Sequence, residues 1–192
     1  IKLSIALFFL VQLSFGQSLN QYVFSQNIGS YSVISGGTVL GNTITDDERF
    51  VDPGVPLGGP ANTGVGLPIG FNFVFNGFTY DRFSINANGW IALGTSSLTP
   101  AVDMTSTSVY TPLSTLNAAI PNVKVARIAA FARDLQAQAG AEIRYEVLGT
   151  APNRTLVVQW KNYTKYLSIG DSMNFQIRLL ETSNSVQICY GT

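Results

Sequence analysis

The acidic residues near position 50 form the densest group of potential metal ligands in the chain. Asp46, Asp47 and Glu48 are consecutive, and Asp52 follows in the same segment. Carboxylate oxygens are the ligands that Ca²⁺ prefers, so Asp46, Asp47 and Asp52 are candidate ligands of a calcium ion. The alternative is a solvated turn, because adjacent residues of an extended segment point to opposite faces. The spacing matches no defined calcium loop, which favours the turn.

Carboxylates elsewhere in the chain have simpler interpretations. Asp134 is a second candidate metal ligand, but it directly follows Arg133, and a local ion pair is the interpretation that we favour. Glu142 and Glu146 share one face of a predicted strand, on which they lie about 13 Å apart. This distance exceeds the roughly 5–10 Å between the paired carboxylates of a glycosidase. Arg144 lies between them on that face, which indicates a cross-strand charge ladder instead.

The composition excludes several catalytic and binding classes. The chain of 192 residues has no histidine and a single cysteine, Cys189. Without histidine there is no Ser-His-Asp or Cys-His relay, and one cysteine permits neither an internal disulfide nor a thiolate zinc cluster. The net charge is zero, which argues against nucleic-acid binding through the overall electrostatic field. We therefore predict a protein that is not an enzyme and needs no cofactor, with calcium as the one candidate.

Aromatic residues beside two lysines form a candidate ligand-binding platform. Tyr163 and Tyr166 are close in sequence to Trp160, Lys161 and Lys165. Exposed aromatic rings are typical of binding surfaces, so Tyr163 and Tyr166 are candidate contacts for a surface glycan or a protein ligand. The phase of Trp160 in its predicted strand places that residue in the core. The alternative for the two tyrosines is a position at the end of the strand.

Residues 1–16 have the features of a secretory signal peptide. Lys2 precedes an apolar run that ends at Ser14-Phe15-Gly16, a small-x-small pattern that signal peptidase accepts. The run is shorter than the roughly 20 apolar residues of a spanning helix. We predict export, with Gln17 as the new N-terminus and no membrane span in the mature chain. The alternative is a buried N-terminal helix or strand.

From Gln17 onward the dominant spacing of apolar residues is two, the period of β-strands. The first clear group is a three-stranded meander with turns at Asn76-Gly77 and at residues 86–89. A change of phase at Asp81-Arg82 predicts a β-bulge in its middle strand. Further alternating segments lie in the second half of the chain, at residues 141–147, 156–160, 175–179 and 186–190.

Three stretches depart from this alternation. Residues 53–68 hold four prolines and five glycines and predict a surface loop. Residues 95–122 are rich in Ser and Thr and predict a loop with at most one short strand. Residues 125–135 fit a helix by their spacing, although we prefer a strand for residues 125–132. The whole pattern predicts an all-β fold, in which residues 17–192 form a single antiparallel β-sandwich of about ten strands with little helix.

Nine segments follow one another in an order that is typical of a known module. They are Tyr22–Gln26, Tyr31–Gly41, Thr45–Glu48, Leu67–Phe73, Phe83–Gly94, Ile128–Leu135, Val157–Tyr163, Asn174–Leu179 and Val186–Gly191. In this order the chain resembles the N-terminal β-sandwich module of secreted Bacteroidetes surface proteins, which are exported by type IX secretion and carry a C-terminal sorting domain. Its second half is similar to the extracellular nidogen-like domain.

The resemblance implies a jelly-roll or nidogen-like β-sandwich that is used for surface display, and it transfers no catalytic residue. The function expected from it is a non-catalytic adhesion or interaction module, secreted or held at the cell surface. The alternative is a carbohydrate-binding accessory module of a secreted hydrolase. The expected partners are a surface glycan or protein ligand and downstream domains, since the chain resembles the N-terminal part of a longer protein.

One short motif suggests a covalent modification. Asp171-Ser172-Met173 resembles the Asp-Ser/Thr-apolar site of O-glycosylation in Bacteroidetes, which makes Ser172 the candidate acceptor. Asn153 and Asn162 also match the sequon of N-glycosylation, a match that carries little meaning in a bacterial protein.

Overall fold

Two antiparallel sheets face each other across a shared apolar core. The computed structural model describes residues 21–41, 46–55, 58–106, 110–113, 126–168 and 170–191. These residues form twelve strands and almost no helix, which confirms the predicted all-β sandwich. In chain order the strands are β1 (Thr38–Gly41), β2 (Arg49–Phe50), β3 (Thr63–Gly64), β4 (Leu67–Phe75), β5 (Phe78–Asn86), β6 (Trp90–Gly94), β7 (Val102–Asp103), β8 (Arg127–Ala129), β9 (Leu135–Leu148), β10 (Thr155–Lys165), β11 (Met173–Leu180) and β12 (Val186–Gly191).

The first sheet has the strand order β1-β9-β10-β11-β12. Trp160 of β10 pairs with Ile143 of β9 and with Phe175 of β11, and all three side chains are fully buried on the inner face. The neighbouring residue on each strand faces outward, because side chains alternate along a strand. Gln159 and Gln176, which pair with each other, therefore lie side by side on the outer face.

The second sheet contains the predicted meander β4-β5-β6. β2 pairs with the end of β5, and β8 pairs with β6. Asn76 and Gly77 connect β4 to β5 with φ values of 48° and 81°, and positive φ at both positions is what a type I′ hairpin turn requires. A separate ladder of β3 and β7 contributes Val102 to a smaller apolar cluster around Trp90.

Aromatic side chains join the two sheets in the core. Trp160 stacks on Phe175, with ring centroids 5.0 Å apart and an interplanar angle of 13°. The indole Nε1 of Trp160 donates a hydrogen bond to the carbonyl of Asn86, at the end of β5, over 3.1 Å. Trp160 thus occupies the core, as its phase predicted, and its one polar atom has a partner in the opposite sheet.

An irregularity is present at Asp81-Arg82 as predicted, but the extra residues lie in β4 and not in the middle strand β5, where the bulge was predicted. Pro68 pairs with Arg82 and Phe73 pairs with Tyr80, so several residues of β4 lie opposite Asp81 alone. The sequence of β5 showed the change of phase without showing which strand carries the insertion.

Strand β9 begins at Leu135, well before the alternation at Ala141 indicated. Leu135, Ala137 and Ala141 are all buried, but small alanines gave a weak signal, and Gly140 interrupts the strand with a φ of 79°. Ahead of it, residues 127–129 form β8, which confirms a strand where the spacing also fitted a helix.

Both predicted loop regions contain short elements. Residues 53–68 include β3 and the first residues of β4, so the loop prediction was too long at its C-terminal end. Residues 95–122 include β7, the one short strand that was allowed for. The predicted signal peptide, residues 1–16, lies outside the described residues. In the part of the chain that the structure covers, no helix has the length and hydrophobicity that a membrane crossing needs.

Residues 30–36, which we call the strap, cross the outer face of the first sheet. Gln176 Nε2 donates to the carbonyl of Ser32 over 2.7 Å, and Ile34 N donates to Gln159 Oε1 over 2.9 Å. The strap therefore passes over β11 and then over β10. These two glutamines are fully buried beneath it, although they belong to the outer face.

The strap ends above β9 and turns there into β1. Arg144 Nη1 donates to the carbonyls of Ser35 and Gly36 over 2.6 and 2.7 Å. Gly36 lies against the carboxylate of Glu146, and a side chain at Gly37 would collide with the backbone carbonyl of Tyr145. Gly37 has a φ of 73°, a conformation that favours glycine. The two consecutive glycines thus allow the chain to turn tightly against β9.

Candidate functional sites: an acidic cluster and an outer-face groove

Asp46, Asp47 and Asp134 come together beside the turn between β5 and β6. Each contributes a carboxylate oxygen, and these oxygens lie within 4.8 Å of one another. Asp46 and Asp47 precede β2 of the second sheet, and Asp134 immediately precedes β9 of the first. Oxygens at this separation can coordinate one Ca²⁺ ion, whose ligand distances are about 2.3–2.6 Å. The cluster is therefore a candidate cation site that joins the two sheets.

Asn88, in the turn between β5 and β6, positions two members of this cluster. Its Nδ2 donates to Asp47 Oδ1 over 2.8 Å, and its Oδ1 accepts a hydrogen bond from Leu135 N over 2.6 Å. Asn86 Oδ1 accepts from Asn88 N over 2.8 Å and fixes the turn itself. Asn88 is fully buried, so its amide holds the Asp47 side chain and the start of β9 in one place.

The electrostatics of the cluster reflect burial first and repulsion between neighbouring carboxylates second. Burial and, to a smaller extent, the charges of Asp47 and Asp134 together raise the pKa of Asp46 to about 6. Burial and the charge of Asp47 also raise the pKa of Asp134. Asp46 Oδ1 is buried and has no hydrogen-bond partner among the described residues. A cation would favour the charged form of Asp46 and of Asp134, since an opposite charge within about 4–6 Å lowers a carboxyl pKa.

Asp52, the third ligand candidate from the sequence, has a different role. Its Oδ1 accepts a hydrogen bond from Val65 N over 2.8 Å, and the backbone at Gly64 lies directly against its carboxylate. Asp52 therefore fixes the segment between β3 and β4 and is not part of the group formed by Asp46 and Asp47. Of the three candidates, the fold brings two together and supplies Asp134 in place of the third.

The ion pair that we favoured between Asp134 and Arg133 is not among the ion pairs of the described residues. Those pairs are Arg144–Glu142, Arg154–Glu181 and Lys165–Asp171. Arg133 acts on Asp134 only as a nearby charge that lowers its pKa, an effect smaller than those of burial and Asp47. The Arg144–Glu142 pair, with an Nε–Oε1 distance of 2.7 Å, joins two residues of β9 itself, so it is an ion pair within one strand rather than a rung of the predicted cross-strand ladder.

The two tyrosines that the sequence placed in one platform lie in different environments. Tyr163 is 1% exposed and belongs to the core, whereas Tyr166 is 43% exposed. A shift of register between Lys161 and Tyr163, with Asn162 at a φ of 56°, turns Tyr163 to the inner face, whereas Tyr166 lies just beyond the end of β10. Tyr166 remains available for a ligand, but the two rings do not form a common exposed surface.

Ser172, the candidate for O-glycosylation, is exposed in the connection between β10 and β11. Its Oγ donates to Asn162 Oδ1 over 2.9 Å. The amide of Asn162 is itself engaged, since its Nδ2 donates to the carbonyl of Ala139 over 2.8 Å. Ser172 is thus sterically accessible, while the sequon at Asn162 is held by its neighbours.

A groove of about 660 Å³ lies on the outer face of the first sheet, beside the strap. The strap forms one wall, and Gly149 and Asn153, from the connection between β9 and β10, contribute to the other side. The floor comes from outward-facing residues of four strands, which are Glu146, Leu148, Thr155, Val157, Arg178, Leu180 and Gln187. The groove therefore combines aliphatic surface with polar groups and one charge of each sign.

The sequence did not predict this groove, because the residues of its floor alternate with core residues along their strands. Such positions normally face solvent on the open side of a sheet. The available signal was the pair Gln159 and Gln176, two amides at the centres of strands, together with the turn at Gly36 and Gly37. Those features become informative only once the strap is known to lie above the sheet.

The fold and these surfaces define an all-β sandwich domain with a shaped outer groove. The family model described as NIDO related matches residues 21–192. The chain therefore belongs to the NIDO-related family, which confirms the nidogen-like part of the resemblance. Neither a curated protein nor a solved structure matches the chain.

Proposed function

We propose that the domain is a non-catalytic adhesion or interaction module of an exported bacterial protein. The observation that carries the proposal is the groove of about 660 Å³ on the outer face of the first sheet. Membership of the NIDO-related family supports an extracellular role in interaction. The predicted signal peptide at residues 1–16 supports export, and the motif order supports a Bacteroidetes protein of the type IX pathway.

The groove is suited to binding because its wall is fixed before a ligand arrives. The strap is tied to the sheet through the buried amides of Gln159 and Gln176 and through Arg144. A preformed wall reduces the entropy that binding would otherwise cost. The acidic cluster has a structural role in the proposal, since a calcium ion there would tie β2 to β9.

The experiment measures retention of beads that carry the purified protein on surfaces coated with mucin or with gelatin. We expect retention on at least one surface, and we expect Thr155→Trp to reduce it because a large ring would fill the groove. Val65→Trp is the control, since Val65 is an exposed valine outside the groove. Retention that both variants leave unchanged would show that the groove does not carry the binding.

A glycan array separates the proposal from its alternative, a carbohydrate-binding module of a secreted hydrolase. Selective binding of one sugar type that Thr155→Trp abolishes would establish the alternative. Binding to gelatin with no selective signal on the array would favour the interaction module.

A further inference from the structure

Strand β12 is an edge of the first sheet, and among the residues that the structure describes no strand pairs with its outer side. We propose that β12 of one copy pairs antiparallel with β12 of a second copy, around a two-fold axis at Ile188. The first sheets of the two copies then form one continuous sheet. The inference goes beyond the proposed function, because it concerns the sheet edge and not the groove.

The pairing of β12 with β11 shows which backbone groups of β12 are available. Leu180 N donates to the carbonyl of Ser185 over 3.0 Å, and the register continues without a shift to Gly191. Hydrogen-bonded pairs alternate along an antiparallel ladder, so every second residue of β12 directs its peptide groups to the outer edge. In the described part of the chain no other backbone group bonds to them. These residues are Val186, Ile188 and Tyr190.

β12 lacks the features that normally prevent edge strands from pairing. Its six residues include no charged residue and no proline, and its ladder with β11 contains no bulge. Charges, prolines and bulges are the usual protection of an edge. The edge strand β1, on the opposite side of the sheet, has an irregular register between Val39 and Gly41. Of these two edges β12 is therefore the one suited to pairing, which favours a closed dimer over a growing chain of copies.

The apolar side chains of β12 are incompletely covered by the second sheet. Ile188 lies opposite Ile177 of β11, which is fully buried on the inner face. Tyr190 lies opposite Phe175, which is also fully buried. The two β12 side chains are nevertheless 39% and 57% exposed. Tyr190 packs against Phe131, with ring centroids 5.4 Å apart, so the exposed ring has a fixed place at the edge.

A two-fold axis at Ile188 makes β12 complementary to itself. In an antiparallel pair centred there, Ile188 lies opposite Ile188 of the second copy, and Tyr190 lies opposite Val186. Both members of each pair direct their N–H and C=O groups towards the interface, so each outward group finds a partner. The side chains that meet on the inner face are all apolar, and cross-strand pairs of aromatic and β-branched residues are favourable.

The charges of the chain favour a second copy as the occupant of this edge. The chain has 11 basic and 11 acidic residues and a net charge of zero, so two copies do not repel each other at long range. Because β12 is uncharged, no like charges meet along the paired strands. A partner that is recognised through its charge finds no counterpart on this strand, whereas a second copy presents an identical uncharged one.

Sedimentation velocity of the purified protein over a range of concentrations measures the association. A reducing agent is present, so that Cys189 cannot link two copies through a disulfide. Pairing through one strand makes a small interface. We therefore expect a reversible dimer that dissociates in the micromolar range.

Substitutions at the axis test where the copies meet. Ile188→Lys is expected to weaken the dimer at least about tenfold, because it places two like charges directly opposite each other. Ile188→Glu should have the same effect. An equimolar mixture of the two variants should restore a dimer, which loss of folding in either variant would prevent. Val39→Lys is the control and should leave association unchanged, since Val39 is an edge-strand residue of similar exposure, 37%.

Disulfide trapping tests the register. In the proposed pair Cys189 lies opposite Gln187 of the second copy, at a non-hydrogen-bonded position with the Cα atoms about 4.5 Å apart, which permits a disulfide. The two Cys189 residues are diagonal neighbours about 7–8 Å apart. With oxidised glutathione, which is reduced to two glutathione thiols as the disulfide forms, the native protein mixed with Gln187→Cys/Cys189→Ser should yield a linked dimer. Either protein alone should yield little.

Each outcome supports or overturns the inference. A monomer at every concentration up to the millimolar range would overturn it, as would a dimer that Ile188→Lys leaves unchanged. Failure of the Ile188→Lys and Ile188→Glu mixture to restore association would contradict a two-fold axis at Ile188. Linkage of the native protein alone would contradict the register. Thr155→Trp fills the groove and should not change sedimentation, so the proposed function and this inference can fail separately.

Discussion

Removal of the Asp46 carboxylate is expected to stabilise the protein near neutral pH. The pKa of Asp46 is raised from 3.8 to about 6 by burial and by neighbouring carboxylates. Between these two values the folded protein binds more protons than the unfolded chain, so the free energy of unfolding falls as the pH rises. Asp46→Asn removes the titrating group, and this part of the pH dependence should disappear with it.

The magnitude follows from the shift of the pKa. A difference of about two pKa units corresponds to about 3 kcal/mol, since one unit corresponds to about 1.4 kcal/mol. Asp46 is only partly buried, and solvent screening reduces the effect to about 1–2 kcal/mol. The stability of the native sequence relative to Asp46→Asn should therefore fall by this amount between pH 4 and pH 7.

The assay is urea unfolding of both proteins at several pH values in the presence of EDTA, with Asp171→Asn as the control for an exposed carboxylate. Parallel pH profiles for the native sequence and Asp46→Asn would refute the electrostatic argument.

Replacement of EDTA by Ca²⁺ tests the cation site in the same samples. Calcium at a hundred times its dissociation constant would add about 2.7 kcal/mol to the native protein, and little to Asp46→Asn. If Ca²⁺ leaves the free energy of unfolding unchanged, the cluster is a turn in which the carboxylates repel one another and no ion binds.

Two further substitutions test the amides that hold the sites together. Asn88→Ala is expected to lower the free energy of unfolding by about 2–4 kcal/mol, because it leaves buried polar groups unpaired. Asn153→Ala, the control at an exposed asparagine, should change the free energy of unfolding by less than about 0.5 kcal/mol. Denaturant unfolding measures both values. Gln159→Leu is expected to release the strap, since Ile34 N and O lose their partner, and to speed proteolysis within residues 30–36. Gln187→Leu, on the exposed edge strand, should leave the rate of proteolysis unchanged.

Local patterns predicted the parts of the fold that depend on neighbouring residues. Asn76-Gly77 predicted its hairpin because both positions favour positive φ. The alternation of residues 175–179 predicted β11, since every second residue faces the core. Trp160 was placed correctly for the same reason.

Tyr163 shows how one residue can change the outcome of such a pattern. Strict alternation places Tyr163 on the face opposite to Trp160, where it would be exposed. Asn162 adopts a positive φ, and the register shifts around it. The shift returns Tyr163 to the inner face, where it is buried. Asn tolerates this conformation better than most residues, but the sequence alone does not show that the conformation is used here.

The acidic cluster depends on contacts between distant parts of the chain. Asp46 and Asp47 are adjacent in sequence, and that half of the site could be predicted. Asp134 reaches them because Asn88, in another turn, binds both Asp47 and Leu135. No local pattern encodes this three-way contact, since it follows from the pairing of β2 with β5 and the packing of the two sheets.

The strap and the buried glutamines depend on each other. An amide that is removed from water costs free energy unless its hydrogen bonds are replaced. Gln159 and Gln176 bond to each other over 2.9 Å, and their partners in the strap are Tyr31, Ser32 and Ile34. Displacement of the strap would break these bonds together, so the wall of the groove persists as one unit with the sheet. A ligand would therefore meet a groove whose wall is already formed.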